Sequence, residues 1–66
     1  YLQMKLNAKE KRIFLKCAEE LNELAVEILQ AVNKPDKGNW SSIVEEMADV
    51  ENWLEKVKEI GKHPFK

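Results

Sequence analysis

The sequence predicts an all-α protein, an antiparallel helical hairpin that becomes a four-helix bundle by oligomerisation. Three observations predict it. From Ala8 to Val32 neither glycine nor proline interrupts the chain, and apolar residues recur there at helical spacing. The stretch Asn33-Lys34-Pro35-Asp36-Lys37-Gly38-Asn39 then collects the residues that break helices. A second apolar-periodic segment follows, from about residue 41 to about residue 60.

The first helix is expected over about residues 8–32. Asn7 followed three residues later by Glu10 has the pattern of a capping box, with Asn in the place of Ser or Thr. Ile13, Phe14, Cys17, Leu21, Leu24, Ala25, Ile28 and Val32 give it an apolar face. It should stop near Asn33, because Pro35 disfavours helical geometry at Lys34. A loop over 33–40 short enough to make the helices antiparallel neighbours comes next. The second helix is expected over about 41–60, capped by Asn39 or Ser41, with Ser42 and Glu45 spaced as a capping box. Trp40 reads as a staple for the loop and Gly61 as a C-terminal stop. Residues 1–6 are too short and mixed to assign, and His63-Pro64-Phe65-Lys66 reads as a tail or the start of another element.

Composition narrows the function classes. The 66 residues suffice for one small domain, and Tyr1 in the place of a starting Met suggests a piece of a longer protein. Charged residues make up 35% and the formal net charge is -1, so no general attraction to nucleic acid or to an anionic membrane is expected. Apolar runs never exceed three residues, too short for a membrane span or a signal-peptide core. The single cysteine, Cys17, has no partner for an internal disulfide, which fits a reducing compartment.

Two acidic signatures stand out from this background. Glu19-Glu20-Leu21-Asn22-Glu23 lies on the first helix and Glu45-Glu46-Met47-Ala48-Asp49 on the second. Each holds carboxylates three residues apart, on one helix face. Advancing roughly 100° per residue from Glu20, the apolar arc of the first helix runs from about 20° at Ile13 to about 180° at Leu29, so Glu20 borders it. On the second helix Val50, Trp53, Val57 and Ile60 bracket Glu46 within roughly 40° on either side, which puts this glutamate inside the apolar arc with Asp49 at its edge. An unpaired buried carboxylate costs several kcal/mol. Lys9, Arg12 and Lys16 are the cations on hand, but the stripe expected to face Glu46 is itself acidic: Glu20, Glu23 and Glu27. Convergence of Glu20, Glu23, Glu46 and Asp49 on one spot is therefore read as a divalent-metal site. An all-oxygen set suits Mg²⁺ or Mn²⁺ better than zinc, and neither signature ends in the histidine of a di-iron bundle.

Other conspicuous residues have plainer readings. Trp53 belongs to the core or an interface, Cys17 is a small core residue, and Glu27 is read as solvated rather than as an outer ligand. Glu51 and Glu55 share a face with Lys58 and Lys62, a mixture of signs expected of a solvated surface.

The ordered pair of signatures resembles the MazG-like all-α nucleoside triphosphate pyrophosphohydrolases, the superfamily that includes the dimeric dUTPases. Ala18-Glu19-Glu20-Leu21-Asn22-Glu23-Leu24 is similar to the family's first motif, and Val44-Glu45-Glu46-Met47-Ala48-Asp49-Val50 to the second, in the manner of short phage and bacterial members. The resemblance covers about residues 16–58. It implies that Glu20, Glu23, Glu46 and Asp49 bind Mg²⁺ and carry catalysis, a metal-held water attacking the α-phosphorus of a nucleoside triphosphate to release the monophosphate and pyrophosphate. Lys16, Lys37 and Asn52 are the candidates to grip the phosphates. The resemblance further implies a homodimer or homotetramer in the cytoplasm of a bacterial cell or a phage-infected host. Two alternatives stay open from the sequence: a non-catalytic hairpin for oligomerisation or partner binding, and a degenerate member that binds nucleotide or metal without turnover.

Overall fold

The computed structural model describes residues 4–62, with α1 over Ala8–Asn33, a 3-10 helical turn over Pro35–Lys37, and α2 over Trp40–Gly61. The helices form the hairpin expected from the sequence. Residues 1–3, left unassigned above, and the 63–66 tail lie outside the described residues.

The start of α1 follows from its cap. Asn7 Oδ1 accepts from the Glu10 amide at 2.8 Å, and Glu10 Oε1 accepts from the Asn7 amide at 3.0 Å, which completes the capping box. At the other end Lys34 takes φ -138°, outside the helical region, as a residue before proline must, while its amide still donates to the Gln30 carbonyl at 2.7 Å. Pro35 then opens the 3-10 turn, where its missing N–H costs nothing. The connection is thus shorter than the expected 33–40 and partly ordered.

At α2 one of the two expected caps is realised, and two local expectations, the Ser42–Glu45 box and the Trp40 staple, are corrected. Its cap is Asn39, whose Oδ1 accepts from the amides of Ser41 at 2.9 Å and Ser42 at 3.4 Å. Trp40 is thereby already helical, and the Ser42–Glu45 box falls inside the first turn rather than at the cap. Trp40 does not staple the loop: it is 80% exposed. α2 ends at Gly61 as expected, but without a reversal of the backbone: none of the described residues has positive φ, and Lys62 keeps right-handed geometry.

Packing between the helices is narrow. Cys17, Ile43 and Val50 are the buried apolar side chains among the described residues, joined by the buried Glu20. Ile13, Leu24 and Ala31 of α1 and Trp53, Val57 and Ile60 of α2 are half-buried along the same seam. Lys56 Nζ lies 4.3 Å from the centroid of the Trp53 ring and covers its outer face. Much of each apolar arc remains exposed, because two rods touch along one line only. Among the described residues no helix is long and apolar enough to cross a membrane.

Candidate metal centre

Glu20 and Glu23, one turn apart on α1, meet Glu46 of α2 across the helix pair. One carboxylate oxygen from each lies within 4.8 Å of the others. Glu20 is 8% exposed, Glu46 half-buried and Glu23 exposed, so the cluster runs from the seam to the surface. It opens on a groove lined by Asn22, Glu23, Val26, Glu27 and Glu46.

The electrostatics turn on Glu46. Its Oε1 is buried and has no hydrogen-bond partner. The surrounding oxygens belong to ionised carboxylates, which only accept. Protonation resolves the conflict by letting Glu46 donate to Glu20. Its pKa is accordingly raised from 4.5 to about 7, first by that hydrogen bond, then by burial, then by the negative charges of Glu23 and Glu20. Glu20 has partial relief from Lys16 of its own helix, with Nζ 3.8 Å from Oε1; the same Nζ lies 3.5 Å from Glu19. That cation comes from α1 and not from the facing helix.

A hard divalent cation fits this donor set. It would supply the positive charge that Glu46 Oε1 lacks, and three carboxylate oxygens leave coordination positions for water. The three oxygens, all within 4.8 Å of one another, are close enough together that they could hold one ion.

The other sequence candidates are placed unevenly. Asp49, one turn beyond Glu46, is exposed and lies outside the converging set. Lys16 reaches the cluster, as just described. Asn52 is exposed on α2. The backbone of Lys37 lies in the 3-10 turn, and its side chain is outside the description. Two further residues line the groove: Asn22, which the carboxylate spacing of the first signature does not single out, and Glu27, which extends the acidic stripe of α1 one turn beyond Glu23 and, expected to be solvated, is half-buried. No protein-family model, curated protein or solved structure matches this chain.

Proposed function

We propose that the chain holds a divalent cation, Mg²⁺ or Mn²⁺, between Glu20, Glu23 and Glu46, and that it hydrolyses nucleoside triphosphates to the monophosphate and pyrophosphate. One observation carries the cation: a buried carboxylate oxygen of Glu46 with no donor, facing two more glutamates from the neighbouring helix. The reaction is supported by the order and spacing of the two acidic signatures. Held by Glu20, Glu23 and Glu46, such an ion would supply a lowered pKa to a bound water and positive charge against the phosphate oxygens. The water oxygen forms a bond to the α-phosphorus as the bond to the bridging oxygen breaks, and pyrophosphate leaves. A carboxylate oxygen not engaged by the ion takes the water's proton. We assign Asp49 to the outer shell and Lys16, beside Glu20, to the phosphates. The hairpin acts as a homodimer or homotetramer in the cytoplasm, with no role for nucleic acid or membrane.

A second reading, a non-catalytic interaction module, is favoured by a different observation, the exposed apolar side chains along both helices. The two readings part in one experiment. Pyrophosphate release is measured from a panel of ribo- and deoxyribonucleoside triphosphates with Mg²⁺ or EDTA, for the full chain and for Glu46→Gln. Metal-dependent release that Glu46→Gln abolishes is the expected result. Absence of turnover together with absence of Mg²⁺ binding by calorimetry would leave the interaction module.

A further inference from the structure

Lys16 stands at one end of the acid cluster and is bound tightly to neither of its neighbours. Its Nζ lies 3.5 Å from Glu19 Oε2 and 3.8 Å from Glu20 Oε1. A charge-assisted hydrogen bond closes to about 2.7–2.9 Å, as Lys62 does with Glu59 at 2.9 Å. The order of the pair is also the weaker one. In a helix, glutamate four residues before lysine is favoured over lysine before glutamate. Helix stability therefore gives a poor account of Lys16 at this position.

Burial divides the pair unequally. The Lys16 side chain is 47% exposed and that of Glu20 11%. Packing in the seam holds the carboxylate, whereas the ammonium rides on a flexible stem. Contacts to so exposed a cation are weak, worth at most about fivefold in an equilibrium. When the two separate, the lysine is the partner that moves. Among the described residues no other cation comes within ion-pair distance of Glu20, Glu23 or Glu46.

The site also has a direction along α1. Lys16, Glu20, Glu23 and Glu27 follow one another within about 60° of helical arc. The groove lined by Asn22, Glu23, Val26, Glu27 and Glu46 lies at the end away from Lys16. Its charged groups are all carboxylates, so it repels a chain of phosphates. An anionic ligand of the cluster finds positive charge from the protein at the Lys16 end.

From the loose double contact, the exposed ammonium and the all-acid groove, we propose that Lys16 is an exchangeable counter-ion, which yields Glu20 to a divalent cation and turns to the phosphate chain of the ligand. This rests on the metal site proposed above. It adds competition between an internal and an external cation for one carboxylate. The ammonium loses that competition because it touches one of the three converging glutamates, whereas a divalent ion engages all three. Once released, Lys16 stays beside the cluster on its stem, and its charge becomes available to phosphate as Glu20 is taken. Metal and polyphosphate therefore bind with positive coupling through Lys16.

The test measures binding rather than turnover. Calorimetry on the full chain follows Mg²⁺ alone, then inorganic tripolyphosphate at fixed excess Mg²⁺, for the parent, Lys16→Met and Lys16→Arg. Methionine matches lysine closely in helix propensity. Lys16→Met should bind Mg²⁺ about threefold to tenfold more tightly than the parent. It should bind tripolyphosphate about tenfold or more weakly. Lys16→Arg keeps the charge and should hold both affinities within about twofold. Lys11→Met removes the same charge from an exposed position nine residues before Glu20 and should also stay within about twofold. A lysine that merely braces the helix cannot move the two ligands in opposite directions. If Lys16→Met gains no more Mg²⁺ affinity than Lys11→Met, the exchange is overturned and the metal site stands. Unchanged tripolyphosphate affinity in Lys16→Met overturns the exchange as well. Failure of the parent and every variant to bind Mg²⁺ would overturn the metal site, and the exchange with it.

Discussion

Glu46 of α2 brings a carboxylate oxygen to within 4.8 Å of one from Glu20 of α1, and its own Oε1 is buried without a donor. Two acids in contact across a helix pair need a proton or a cation between them. Which of the two satisfies them depends on pH, and this makes the cluster testable without any knowledge of substrate.

The first prediction concerns pH. Glu46 has a folded-state pKa of about 7 against 4.5 for the free side chain. Below about 4.5 the folded and unfolded states both hold the proton, and the cluster costs nothing. As pH rises toward 7 the unfolded chain releases its proton first, so stability falls through this window and then levels off. A divalent cation favours the ionised carboxylate and opposes that loss. The rise in melting temperature caused by Mg²⁺ should therefore be small near pH 5 and largest above pH 7, as followed by circular dichroism. A Mg²⁺ effect that does not change across this range would remove Glu46 from the site.

Glu46→Gln separates the proton from the metal. The amide keeps the shape of the protonated acid and donates to Glu20 without carrying charge. In EDTA at neutral pH the variant should melt several degrees above the parent, and its stability should lose the fall between pH 4.5 and 7. Its affinity for Mg²⁺ by calorimetry should drop, and any pyrophosphate release should fall by about 100-fold or more. Lower stability in EDTA would mean that Glu46 has a favourable partner and that the buried oxygen is not under strain.

How far the sequence could foresee this depends on what each feature obeys. The helices obey local rules: the Asn7–Glu10 box and the break before Pro35 were readable because both act within a few residues. The meeting of Glu20, Glu23 and Glu46 was readable from the helical wheel, since the angle around a helix decides which residues face a neighbour. Asp49 and Glu27 show where the wheel stops. Across a helix pair, side-chain length and axial offset decide which carboxylates reach the seam, and angle alone is silent on both. Trp40 was misjudged for another reason. Its large ring beside the loop suggests a staple, but at the first position of α2 the side chain is 80% exposed.

Asn7→Ala should test the cap in isolation. It removes the acceptor for the Glu10 amide and leaves the Glu10 carboxylate with only the backbone half of the box. A loss of about 1 kcal/mol is expected. In a chain this small such a loss lowers the melting temperature by roughly 4–8 °C. Asn7→Ser should restore most of it. Since the cap lies well before the cluster in sequence, Mg²⁺ affinity should remain unchanged, which distinguishes a stability effect from a site effect.

Gly38→Ala probes the closure of the hairpin. Gly38 has φ -67° and ψ 136°, a conformation open to any residue, so the backbone itself does not require glycine. Space does. A methyl group there would meet the Ala31 Cα at 3.1 Å, and the Ala31 Cβ and Pro35 carbonyl oxygen at 3.4 Å. The closest of these atoms is helix backbone, which cannot turn aside as a flexible side chain would. Replacing glycine restricts the unfolded chain and favours folding by about 0.4–1 kcal/mol, whereas overpacking a close contact costs about 1–3 kcal/mol. The net should be a destabilisation of about 1 kcal/mol, measured by chemical denaturation. Ala31→Gly relieves only the 3.4 Å Cβ contact, so the double variant should recover a minor part of the loss, and full recovery would show that the helix backbone yields after all.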